Sequence, residues 1–249
     1  INDYGFRDIN KIYQSKKEKV LILGDSFTEG FGVSLENSYP KKLEKLFQDA
    51  DIPVDVYNAG ITGNNLVDYI EIYNRYFAND DTIKIVVIGL FPGNDLKNSY
   101  KIRNVQEIKK KNILNSLKQV AAKNSTFYNV LNRFIKSNYE INSIMVKFGI
   151  VKEKKKILAN YNLKNYSQKE KIFYSTNLIN NFKKSIIKKE LFVILIPSKE
   201  QINDDSWESL IRKNRIEIDQ IDRKLPTELL ENKLKDYGIN VINFYDIFN

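Results

Sequence analysis

Residues 83–91 read Ile-Lys-Ile-Val-Val-Ile-Gly-Leu-Phe, an almost unbroken apolar run. A strand wetted on one face alternates apolar and polar residues, whereas one buried on both faces does not. This run therefore predicts a central strand of a parallel sheet. Four more segments predict strands: Lys19–Leu23, Val54–Tyr57, Leu191–Ile196 ending at Pro197, and Ile239–Tyr245 after the turn residue Gly238. Helical patterns lie between them. Tyr39, Leu43, Leu46 and Phe47 share one face, with Pro40 near the helix start. Leu66, Ile70, Tyr73 and Phe77 repeat the pattern after Asn64-Asn65, and Leu229, Leu234 and Tyr237 mark a weaker helix. The βαβαβ order argues for an α/β fold, a parallel sheet with helices on both faces. Between Asp95 and Leu191 lies a Lys- and Asn-rich stretch without strand signals, far longer than one crossover needs. It reads as a helical insertion at about residues 97–189, and Asp204–Pro226 as a second, smaller one.

With 249 residues, 42% of them hydrophobic, the chain can bury a sizeable core. Its net charge of +9 is spread widely, and the short runs at Lys109–Lys111 and Lys154–Lys156 read as solvated helix faces. No aromatic-interleaved basic motif points to nucleic acid. The absence of cysteine excludes disulfides, cysteine-held zinc and a thiol nucleophile. No apolar run approaches the ~20 residues of a membrane-spanning helix.

Three strand ends carry chemistry. Gly24-Asp25-Ser26 follows Val20–Leu23, Asn58-Ala59-Gly60 follows the second strand, and Gly93-Asn94-Asp95 follows the strongest strand. Ligands of open α/β sheets bind at the carboxyl ends of the strands. A serine hydroxyl needs a base to take its proton and donors to hold an oxyanion. Ser26 is placed to attack, and its own N–H can be one donor. The Gly60 N–H and the Asn94 side-chain amide can be two more. These positions, 26, 60 and 94, are 34 residues apart, one per successive strand. Asp25 and Asp95 are candidates for contacting the substrate, Asp25 also for ordering its loop. The glycines lack P-loop or dinucleotide spacing, and Asp25, Glu29 and Asp95 without His or Cys make a poor metal set. No cofactor and no metal are expected.

The three segments resemble blocks I, II and III of the SGNH (GDSL-type) esterase/acylhydrolase superfamily: Gly24-Asp25-Ser26 within GDSFTEG, Gly60 within NAGITGNN, and Gly93-Asn94-Asp95 in its G-x-N-D form. The resemblance implies a flavodoxin-like three-layer α/β/α sandwich with a five-stranded parallel sheet. It implies Ser26 as nucleophile, with Ser26 N–H, Gly60 N–H and Asn94 as the oxyanion hole. The lead-in Asn2–Asp8 and the segment Ile196–Gln201 resemble envelope-associated members, which implies a carbohydrate ester and an extracytoplasmic or periplasmic location.

The family's block V, Asp-x-x-His, supplies the base, and this sequence contains no histidine. The start at Ile1 rather than Met, and an end two residues past a strand, are read as a chain cut short of block V. Read instead as a degenerate Asp-x-x-Asn, the segment Asp246–Asn249 would make a pseudo-enzyme. The expected activity is hydrolysis of an acyl or acetyl ester through an acyl-serine. Alternatives are acetyl transfer to a sugar hydroxyl, or a non-catalytic binding or assembly role for the fold. The lone Trp207 could stack on a sugar or pack the smaller insertion.

Overall fold

The computed structural model describes residues 1–9, 16–97, 161, 166–214 and 217–248. The described elements lie in one compact unit, Ile1–Lys101 with Leu158–Asn249, and Ile102–Ile157 fall in a second unit outside the described residues. Five strands form one sheet: β1 (Glu18–Gly24), β2 (Val54–Gly60), β3 (Ile83–Leu90), β4 (Glu190–Leu195) and β5 (Asn240–Asn243). Their spatial order is β2-β1-β3-β4-β5, and every pairing is parallel.

The side-chain period of a strand divides the core in two. In β1, Leu21 and Leu23 enter a cluster with Tyr57, Val86, Ile88 and Val193. Val20 and Ile22 point the other way, toward Val56, Val87 and Ile194. The first face is covered by α3 (Leu66–Ile72) and the later crossover and C-terminal helices, α4 (Tyr166–Ser185) and α7 (Leu225–Asp236), through Leu66, Tyr69, Ile179 and Leu230. The second face is covered by α2 (Tyr39–Asp49) through Tyr39, Leu43 and Phe47. This is the α/β/α sandwich, and it explains why the central strands are apolar throughout.

Most of the expected insertion at about 97–189 lies outside the described residues. Its last part, α4, belongs to the sandwich: Ile172, Ile179 and Phe182 are buried against the sheet. After β4 come α5 (Lys199–Ile202) and α6 (Asp204–Asn214). Trp207, on α6, is buried edge-to-face against Tyr161, with ring centroids 5.2 Å apart, and Arg223 lies over its ring. It packs this segment rather than offering a face to a sugar.

Two expectations are corrected. Leu46 is 64% exposed, while Lys41 and Glu44 are buried in its place. The reason is the open edge of β2, whose outward backbone groups need partners. Val56 N–H donates to Glu44 Oε1 at 2.9 Å, and Lys41 Nζ donates to Val56 O at 2.9 Å. Asn58 N–H donates to Asp8 Oδ2 at 2.9 Å, and Lys41 Nζ sits 2.5 Å from Asp8 Oδ1. The lead-in therefore seals the edge of β2. Burial raises the Asp8 carboxyl above the usual carboxylate range, opposed by the charge of Lys41. The last strand also ends early. Asn243 Oδ1 accepts the N–H of Tyr245 at 3.1 Å, and the chain turns into α8 (Phe244–Phe248). A side chain that caps a helix stops the strand that carries it.

Candidate active site

The floor of the site is a row of glycines. Gly24 at the end of β1 aligns with Gly60 on β2 and with Gly89 on β3. On this floor rests α1 (Ser26–Glu29). A Cβ on Gly60 would run into backbone atoms of Thr28 and Glu29, so only glycine lets α1 lie against the end of β2.

Asp25 caps α1: its Oδ1 accepts the N–H of Phe27 at 2.9 Å. Its Oδ2 accepts a hydrogen bond from Asn94 Nδ2 at 3.1 Å. The residue before Ser26 thus holds the amide after β3. Asn94 sits in a tight turn in which Asp95 Oδ2 accepts the N–H of Phe91 at 2.7 Å, and Phe91 O accepts the N–H groups of Asn94 and Asp95. Burial first, then the negative charges of Asp95 and Asp25, push the Tyr69 hydroxyl far above the usual phenol range, so it stays protonated beside Asp95. The rings of Phe27 and Phe91 lie 5.1 Å apart and join the two loops from outside.

Asp25 and Asp95, expected to contact the substrate, are both fully buried and spend their carboxylates on loop amides. Ser26 is half-buried. Neither its hydroxyl nor its N–H has a hydrogen-bond partner among the described residues.

Gly60 does not fit the donor role expected of it. It is the last residue of β2, it is buried, and its N–H donates to Asn58 Oδ1 at 3.1 Å. The free backbone lies three residues on. Gly63, in the loop after β2, has φ +88°, and its N–H has no acceptor among the described residues. The signal was present in the sequence as Gly63-Asn64, a turn dipeptide that favours positive φ. This loop is tied to α1, because Thr62 N–H donates to Glu29 Oε2 at 2.5 Å. The three loops after β1, β2 and β3 are thus linked by side-chain bonds from Asp25 and Glu29.

The model of the GDSL-like lipase/acylhydrolase family matches residues 20–249. The chain belongs to that family. Solved structures of similar fold include AlinE4, an SGNH-hydrolase family esterase, at 12% identity and a TM-score of 0.46, covering 92% of this chain and 76% of that one. The acetylxylan esterase Axe2 from Geobacillus stearothermophilus is similar at 14% identity and a TM-score of 0.45, covering 93% and 78%. TesA is similar at 13% identity and a TM-score of 0.40, covering 88% and 99%. No curated sequence matches this member of the GDSL-like family. Among its described residues no helix is long and apolar enough to cross a membrane.

Proposed function

We propose that this member of the family is a serine ester hydrolase working through an acyl-serine at Ser26. The observation that carries the reading is the Asn94 amide, held by the buried Asp25 next to a serine whose hydroxyl and N–H are both unengaged among the described residues. Ser26 Oγ attacks the ester carbonyl and forms a tetrahedral oxyanion. Ser26 N–H, Gly63 N–H and the second Asn94 Nδ2 hydrogen donate to that oxyanion. Gly60 instead makes room for α1. Collapse expels the alcohol, and water then releases the acid. Donors fixed before the reaction cost no reorganisation in the transition state.

The Ser26 proton needs an acceptor, and these 249 residues contain no imidazole. An imidazole from outside them would complete the relay. A donor set without its base still gives a residual acceleration of about 10³–10⁴ over water. The missing histidine is also the one observation that favours a second reading, a fold kept for binding rather than turnover. Hydrolysis of p-nitrophenyl acetate by wild type and Ser26→Ala, with and without added imidazole, separates the two. The esterase reading expects a Ser26-dependent rate that grows with imidazole; the binding reading expects identical rates.

A further inference from the structure

We propose that Glu29 is a positioning residue that sets the distance between the nucleophile and the backbone donor of the loop after β2; this rests on the esterase reading. The two groups to be aligned, Ser26 and Gly63, sit on different loops. The glycine floor lets α1 approach β2 but does not fix the loop beyond it. The side chain that crosses this gap is Glu29, half-buried at the last position of α1, whose Oε2 accepts the N–H of Thr62 at 2.5 Å. Thr62 directly precedes Gly63, so the peptide that carries the Gly63 N–H is joined to the residue held by Glu29. A carboxylate bonded to a backbone N–H makes a charge-assisted bond, stronger than a neutral one.

Glu29 is itself held from behind. Arg7 donates to the carbonyl oxygens of Glu29 at 3.1 Å, Gly30 at 2.5 Å and Val33 at 2.6 Å. Phe6 beside it is 1% exposed and packs on Phe77. The carbonyls that end α1 are therefore fixed to the core while the Glu29 side chain reaches forward. The arrangement has the form of a strut: Phe6 and Arg7 at its base, α1 as its body, Thr62 at its tip.

The test compares Glu29→Ala with Glu29→Gln. Gln keeps an oxygen that can accept from Thr62; Ala does not. Amide hydrogen exchange at Thr62 and Gly63 reads the tie directly. Ser26-dependent hydrolysis of p-nitrophenyl acetate in imidazole reads its consequence. Glu29→Ala is expected to speed exchange at Thr62 and to lower kcat about tenfold or more with KM little changed, since a shift of about 1 Å in such a group can cost about 10²-fold. Glu29→Gln is expected to recover most of both. Unchanged exchange at Thr62 in Glu29→Ala, or an unchanged kcat, overturns the proposal. Wild type showing no Ser26-dependent rate would instead overturn the esterase reading, and the exchange arm would still decide whether Glu29 holds the loop.

Discussion

Replacing Asp25 by asparagine tests the site more sharply than removing its side chain. Asp25 is fully buried and accepts two hydrogen bonds, from Phe27 N–H at 2.9 Å and from Asn94 Nδ2 at 3.1 Å. In Asp25→Asn the introduced amide oxygen can still accept from Phe27, but the introduced NH₂ then faces the NH₂ of Asn94. Two donors cannot bond, so Asn94 must turn its amide. Its Nδ2 then occupies the place of Oδ1, a buried atom with no hydrogen-bond partner among the described residues. Charge-assisted bonds contribute about 1.5–3 kcal/mol each and neutral ones about 0.5–1.5. Replacing two of the first kind by two of the second loses about 2 kcal/mol. For a domain of this size 1 kcal/mol moves Tm by about 2–4 °C, so Asp25→Asn should melt about 4–8 °C lower. In the proposed mechanism the turned amide also removes one oxyanion donor, worth about 10²–10³ in rate. Differential scanning calorimetry and Ser26-dependent ester hydrolysis measure the two effects. A variant that melts together with wild type and hydrolyses at an unchanged rate would refute the role given to Asp25.

Gly60→Ala forces a Cβ into the backbone of α1; overpacking of this kind costs about 1–3 kcal/mol or more, and urea denaturation should show at least that loss. Lys41→Met leaves Asp8 and Glu44 buried without their cation. Breaking such a group typically costs about 3–5 kcal/mol, again read by denaturation, and a neutral result would contradict the sealing of the β2 edge. Burial holds the hydroxyls of Tyr39 and Tyr69 far above the usual phenol range and pushes Tyr161 up to about 12. The folded state keeps these protons while the unfolded chain loses them above about pH 10, so their stabilisation is full below about pH 10 and is lost as pH rises beyond it. Unfolding free energy should fall steeply from about pH 10 upward, by up to about 1.4 kcal/mol per pH unit for each tyrosine, with melting temperature falling alongside it, and Tyr39→Phe should flatten the slope.

The sheet was legible because its central strands are buried on both faces and so stand out as the runs at Val20–Leu23 and Ile83–Leu90. The helix over residues 39–49 was legible as a helix but not in its buried face. Lys41 and Glu44 are inside because they pair with a strand edge and with the distant Asp8, and no local period encodes that contact. Asn94 meets Asp25 because each closely follows a parallel strand, an adjacency that the order of the strands makes legible. That the Gly60 N–H is already engaged, which is why the proposed mechanism uses Gly63, was not legible from spacing. Equal intervals of 34 residues pointed to Gly60, but a backbone N–H is usable only if nothing else has taken it, and Asn58 takes that of Gly60. The tie from Glu29 to Thr62 links residues 33 positions apart and leaves no mark in either segment alone.

The most direct test of the central claim is the mass of the protein after brief exposure to p-nitrophenyl acetate with imidazole present, followed by digestion to locate the adduct. An acyl-serine mechanism predicts one added acetyl group on Ser26, absent from Ser26→Ala, together with a Ser26-dependent release of p-nitrophenol. Equal release by the two proteins, with no acetyl group on Ser26, would contradict it.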